Sequence, residues 1–402
     1  MDAAAARLRA GAVLLAGGLL APLAIANAVA PLYTLCALMA LAALIAGRAW
    51  RDVPRLPALL ALGLLAWAGL SIVWAVDPTR SARAWVALAV SLAGGLALLA
   101  AAGRLTAAER ARAGTALVAG VAVTLALLAI EAVPRYLRLS PTPLQALLDA
   151  AGLRFGLSSL NRAASLVAIG VWPAAAILLR RHGWRRAWIL PAGALAVLPA
   201  LESTASLLAI ACALPAIGLA AWRPAALRML LPGAVALGIL AMPLATGWDG
   251  FHTRFADRNL SVSVWHRAEI WAFASRRIAE RPLGGWGLDS SRDMPGAEDL
   301  VPGQPQFRPI HPHNNPLQLW LELGVPGAIL GAAAAVLAAR RAGAASRDLA
   351  ARLGATGALC AALAVAATGY GLWQAWWMGA LWIVAALVRA TAAPVAGDGR
   401  QA

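Results

Sequence analysis

The chain has 402 residues, 61% of them hydrophobic, and a mean hydropathy of +0.72. Soluble domains carry about 45–50% apolar residues, so this composition excludes one and points to an all-α polytopic membrane protein. The net charge of +16 comes from 34 basic residues, all arginine, an excess that cytoplasmic loops of a membrane protein supply without nucleic acid.

Apolar spans fall in order at roughly 10–29, 31–47, 57–76, 83–102, 113–133, 161–180, 187–202, 204–222, 227–246, 316–339, 351–370 and 373–389. About twelve transmembrane helices are therefore expected. They divide into nine over 1–246, an outer loop over 247–315, and three more with a short tail over 316–402. Arg7 and Arg9 before an apolar run resemble a signal peptide, but eleven further spans make an uncleaved first helix the expectation. Cys36, Cys212 and Cys360 lie inside apolar runs without metal spacing and read as small core residues.

Arginine sets the orientation. With a cytoplasmic N-terminus, 20 arginines fall on the cytoplasmic side, and the short outer loops hold only Arg80 and Arg83. The positive-inside bias then puts both termini in the cytoplasm. The other twelve arginines sit in two long outer connections, 134–162 and 247–315. The first holds Arg135, Arg138, Arg154 and Arg162 against one acid, Asp149. Outer arginine opposes the topology signal, and the guanidinium fork matches phosphate, so an anionic ligand is the natural candidate. Long loops also translocate whatever their charge.

Within the second connection, Ser261 to Arg281 reads as a helix at the membrane interface, with tryptophans as anchors. Pro282 stops it, and Leu283-Gly284-Gly285-Trp286-Gly287 forms a glycine-dependent turn. Residues 289–309, rich in Pro, Gly and acids, read as a mobile flap.

His311-Pro312-His313 precede Asn314-Asn315-Pro316, an N-cap with proline in the first turn of the next helix. The histidines thus face a helix N-terminus, a site suited to an anion. They could bind metal, act as a base, or be structural. No Asp-x-Asp or cysteine cluster completes a metal set, and the cationic helix end keeps a histidine unprotonated, as a base requires. Asn315, Gln318 and Glu322 share one face as a polar stripe. Glu322, two turns into the membrane, is either functional or tied to an Arg or Gln partner.

His313-Asn314-x-x-Leu317-Gln318-x-x-x-Glu322-Leu323-Gly324, followed by Gly327, resembles the signature of the O-antigen ligase and polymerase superfamily. Arg267-x-x-x-Trp271, Pro282-Leu283-x-Gly285-x-Gly287 and Trp74-Ala75-x-Asp77-Pro78 are similar to segments of the same family. The resemblance implies a GT-C-like, metal-independent, cofactor-free inverting glycosyltransferase of the bacterial inner membrane, with its active site on the periplasmic face among membrane lipids. Its donor would be a glycan on undecaprenyl diphosphate. His313 would be the base and Arg267 a diphosphate ligand, with His311, Asn314, Gln318 and Glu322 in support. Where family members carry an arginine near the start of a middle helix, this chain reads Glu202-Ser203-Thr204-Ala205-Ser206. The second phosphate contact would then fall to Arg154, Arg162 or Arg138.

A ligase, with lipid A–core as acceptor, is expected over a polymerase. Arg276–Gly287 and Arg292–Gly303 fit the polymerase R-x10-G pattern, but this composition supplies about three such pairs by chance. The short stretch after Arg389 argues against the protein-glycosylating branch. A proton- or ion-coupled transporter using Glu322 and the histidines is the reading from another class. The absence of repeated hydropathy halves weighs against it.

Overall fold

The computed structural model describes residues 3–25, 27–137, 146, 150, 157–248, 251, 253, 262–297, 311–344 and 348–392. It is an all-α bundle. The helices are α1 Ala3–Ile25, α2 Val29–Ala46, α3 Arg55–Leu70, α4 Pro78–Gly103 and α5 Ala107–Tyr136. There follow α6 Leu157–His182, α7 Ile189–Val197, α8 Thr204–Trp222, α9 Pro224–Leu240 and α10 Met242–Gly247. The last four are α11 Val262–Glu280, α12 Asn315–Ala344, α13 Leu349–Thr368 and α14 Ala375–Ala392.

Local chemistry sets several of the boundaries. Asp77 caps α4 by accepting from Arg80 N at 2.9 Å, with Pro78 at the first helical position. Thr106 and Glu109 form a capping box at the start of α5. Gly183, at φ 77, ends α6.

Each expected span meets a helix, and among the described residues nine helices are long and apolar enough to cross a membrane. The expected span 187–202 is shorter than a full crossing. It breaks into the nine residues of α7 and a 3₁₀ turn, Leu198–Leu201, that ends at Glu202 in a left-handed conformation. Pro191 and Pro199 remove backbone donors there. The span 227–246 likewise divides at Ala241 into α9 and α10, with Pro243 in the first turn of α10.

The small-residue helix α6 is the axis of the bundle. Ala163, Ala164, Leu166, Val167, Ala168 and Ile169 are fully enclosed by α1, α5, α8 and α13. A second feature governs the outer end. Helix α12 is broken at Gly324 (φ 60, ψ −157), and Pro326 follows. The carbonyls freed by the break are met from outside the helix. Trp286 N donates to Leu321 O at 2.9 Å, Gly287 N to Glu322 O at 2.8 Å and Trp67 Nε1 to Leu323 O at 2.8 Å. In return Val325 N donates to Pro282 O at 2.9 Å. The turn after α11 is thereby bonded to the middle of a membrane helix.

Such contact requires two glycines. A Cβ on Gly324 would lie 2.3 Å from Leu283 O, and one on Gly285 (φ 67) would lie 2.5 Å from Glu322 C. Both positions also have left-handed φ, which costs an L-residue about 1–2 kcal/mol. Gly324→Ala and Gly285→Ala should therefore each destabilise the protein by about 3 kcal/mol or more, read as a lower thermal unfolding midpoint in detergent. Gly218→Ala, in a helix with nothing within 4 Å of the new methyl, should be neutral or slightly stabilising. Equal losses at all three sites would contradict this account of the crossing.

Candidate active site

The loop 311–314 enters α12 through Asn314, whose Oδ1 caps Leu317 N at 3.0 Å, with Pro316 in the first turn as its sequence implies. His313 occupies the left-handed region at φ 54. That position costs a non-glycine residue free energy and is justified by what the ring then reaches. Its Nδ1 lies 2.7 Å from Gly369 O. A carbonyl only accepts, so Nδ1 carries the proton and Nε2 is left as an unprotonated base.

Burial holds the His313 pKa down at about 4; the Gly369 carbonyl raises it, while Arg267 and His266 lower it further. The ring is thus neutral at neutral pH. His311 is 5% exposed and packs against His313 with ring centroids 4.2 Å apart. Its Nδ1 accepts from His313 N at 3.2 Å, which leaves the ring proton on Nε2, 2.9 Å from the side-chain amide of Gln374. Burial, then His313 and Arg292, push its pKa to about 3. A Cβ on Gly371 would meet its ring at 2.8 Å, so His311 is packed from every side and supports the loop.

Helix α11 runs as the sequence predicts, but Trp271 turns inward instead of anchoring at a lipid surface. Its Nε1 donates to Pro312 O at 2.8 Å. Arg267, one turn earlier on the same face, is set beside His313 and Tyr370. Burial lowers its pKa, opposed by Tyr370, and a guanidinium stays charged regardless. Arg162, at the start of α6, donates to Asn27 Oδ1 at 2.8 Å and lies 5.0 Å over the Trp376 ring. Burial raises the Tyr370 hydroxyl to about 12, with Ser165, Arg162 and Arg267 opposing. Arg162 and Arg267 therefore flank Tyr370. Arg138 and Arg154 lie outside the described residues.

The polar stripe on α12 has a structural destination. Gln318 Oε1 accepts from Leu372 N at 2.7 Å, and its Nε2 donates to Glu322 Oε1 at 2.9 Å. With its amide turned to satisfy both sides, Asn315 donates to Tyr370 O at 2.6 Å and accepts from Trp377 Nε1 at 2.9 Å. Glu322 is fully buried and also accepts from Asp289 N at 2.6 Å, Trp373 Nε1 at 2.5 Å and the Ser291 hydroxyl. Its partner is Gln318, not an arginine. The stripe binds the segment 369–374, between α13 and α14, onto the histidine loop.

The same carboxylate corrects the expectation of a mobile flap for its first part. Leu288, Ser290, Ser291, Met294 and Ala297 are buried, because Glu322 holds Asp289 and Ser291 while Arg80 pairs with Asp293. Residues 298–310, the rest of that stretch, lie outside the described residues. Arg80 is thus a tether of the packed part, whereas Arg83 is simply exposed. Among the described residues no group of three or more His, Cys, Asp or Glu is arranged to hold a metal ion.

Gly369, Tyr370, Trp373, Gln374 and Ser165 were not singled out from sequence. The signal present was the run Gly369-Tyr370-Gly371-Leu372-Trp373-Gln374 between two apolar spans, glycine-rich, aromatic and free of charge.

A family model described as O-antigen ligase matches residues 189–332, a stretch that includes Arg267, His313 and Glu322. A provisionally named polysaccharide ligase of Rickettsia conorii is 30% identical over 190 residues. That alignment covers 44% of this chain and 44% of the relative, so the match spans under half of either length. Similarly named proteins of Rickettsia felis and Rickettsia bellii are 32% and 28% identical, over 44% and 57% of this chain and 44% and 58% of the relative.

The geometry makes Glu322 the clamp of the site. Glutamine there retains one acceptor oxygen and adds two donors against four groups that already donate. Glu322→Gln should lower stability by about 3 kcal/mol and open the segment 289–297 to protease. A wild-type digestion pattern together with an unchanged unfolding midpoint would contradict the clamp.

Proposed function

We propose that the chain, whose residues 189–332 match the O-antigen ligase family model, belongs to that family and transfers a glycan from undecaprenyl diphosphate to lipid A–core. The reaction runs at the periplasmic face of the bacterial inner membrane, with both chain termini in the cytoplasm. One observation carries the reading. His313 donates through Nδ1 to Gly369 O and so offers a free Nε2 beside Arg267, with Arg162 near the adjoining Tyr370.

In this mechanism the acceptor hydroxyl oxygen attacks the anomeric carbon and Nε2 of His313 takes its proton. The anomeric C–O bond to the diphosphate breaks, and its electron pair leaves with undecaprenyl diphosphate. Attack opposite the leaving group inverts the anomeric centre. Arg267 and Arg162 neutralise the charge that grows on the diphosphate, as fixed guanidinium forks do. The α12 N-terminus adds its positive end. His311, Asn314, Gln318 and Glu322 keep the base in register.

His313→Ala should lower transfer by about 10²–10⁴-fold with normal expression, and His311→Ala by less. Near wild-type transfer by His313→Ala would sink the mechanism. Because the pKa of the folded protein is depressed, the base form is lost only as pH falls through it. The acid limb of kcat/KM should lie near 4, well below the usual 6.5 of a free histidine.

Arg267→Lys and Arg162→Lys keep the charge but lose the fork. Each should cost about 2–4 kcal/mol of transition-state stabilisation, roughly 30- to 1000-fold in rate. Arg83→Lys, at an exposed position, is the matched control. Equal losses at Arg83 and Arg267 would leave only a general positive field. Activity should survive EDTA in full; loss on chelation with rescue by Mg²⁺ would assign the leaving-group charge to a metal. Lengthening of a second donor glycan, in place of transfer to lipid A–core, would make the chain a polymerase.

A further inference from the structure

At the end of the bundle opposite the histidines, α1, α2, α4 and the turn 47–52 enclose a cavity of about 170 Å³. The length of α1 sets it roughly 25 Å from the histidine end. A water occupies about 30 Å³, so the cavity admits a group several times larger. Its floor is small and apolar, formed by Ala5, Ala40, Ala43, Ala100 and Ala101, and its charged lining is Arg9, Arg48, Arg51, Arg104 and Asp52.

Two of these arginines are already engaged. Arg9 faces Glu109 at 3.9 Å, and Arg104 is paired with Asp52 Oδ1. Arg48 and Arg51 meet no carboxylate at ion-pair distance among the described residues. Asp52 Oδ2 is buried and has no hydrogen-bond partner among them. The lining therefore offers two uncommitted guanidinium groups and one uncommitted acceptor.

The backbone gives an independent indication. Helix α2 ends with Ala49 N donating to Leu44 O at 3.0 Å and Arg48 N donating to Ile45 O at 3.1 Å. That closure puts residue 48 in the left-handed position usually held by glycine. Here it is arginine, at φ 46, while the neighbouring Gly47 has an ordinary φ of −84. A glycine at 48 would relieve the backbone, so the guanidinium is kept there against a conformational cost.

We propose that this cavity binds the head group of an anionic glycerophospholipid of the phosphatidylglycerol class. The phosphodiester meets Arg48 and Arg51, a head-group hydroxyl donates to Asp52 Oδ2, and the glycerol backbone rests on the alanine floor. A basic pocket between membrane helices is suited to such a head group. The recognition needs an anion and a donor on one molecule, which phosphatidylcholine lacks. The site is independent of the proposed transfer reaction.

The test uses the full chain in neutral detergent and follows its thermal unfolding midpoint. Phosphatidylglycerol, phosphatidylcholine and inorganic phosphate are titrated separately. Wild type should gain a saturable rise of several degrees with phosphatidylglycerol alone. Arg48→Gly should start at an equal or higher midpoint without lipid, because the backbone is relieved, yet lose the lipid-dependent rise. Arg51→Gln should lose it too, and Arg185→Gln, an exposed arginine outside the cavity, should keep it. A rise that persists in both Arg48→Gly and Arg51→Gln would overturn the site. No rise with phosphatidylglycerol, or an equal rise with phosphatidylcholine or inorganic phosphate, would overturn the lipid assignment.

Discussion

The outer end of this protein depends on the crossing of two backbones, Gly285 over Gly324. Breaking α12 within a membrane leaves carbonyls that hydrocarbon cannot satisfy. The break survives because the turn 282–287 and Trp67 supply the missing donors. That exchange fixes α11, and with it Trp271 on Pro312 and Arg267 beside His313. From the other side, Glu322 and Gln318 hold the segment 369–374, whose Gly369 carbonyl sets the tautomer of His313. One helix break thus orients the histidine loop from two directions.

The electrostatics follow from the same packing. A histidine in water is half protonated near pH 6.5. Here burial, with Arg267 contributing, keeps His313 neutral. The arginine that would hold an anionic leaving group therefore also keeps the ring proposed as the base free of a second proton. Glu322 serves neither purpose directly. Its oxygens accept from Asp289, Ser291, Gln318 and Trp373, which makes it a knot between segments far apart in sequence.

Much of this was legible in the sequence where local chemistry decides. The N-cap and proline at 314–316, the helix before Pro282, and the apolar spans each follow from residue type and period. Sequence missed what depends on partners distant along the chain. Residues 289–297 read as mobile because they are polar and glycine-bearing, and only a carboxylate from α12 makes them pack. Trp271 read as a lipid anchor because nothing nearby revealed a carbonyl 41 residues away. Gly369 and Tyr370 read as the end of the apolar span 351–370 because a carbonyl has no sequence signature.

The claim that carries the rest is the protonation state of one ring. Selective ¹⁵N labelling of histidine, with the His313 resonances assigned by their loss in His313→Gln, reads it directly across pH. The account predicts a neutral ring protonated at Nδ1 and bare at Nε2 at pH 6, with protonation deferred toward pH 4. An imidazolium at pH 6, or a neutral ring carrying its proton on Nε2, would contradict it.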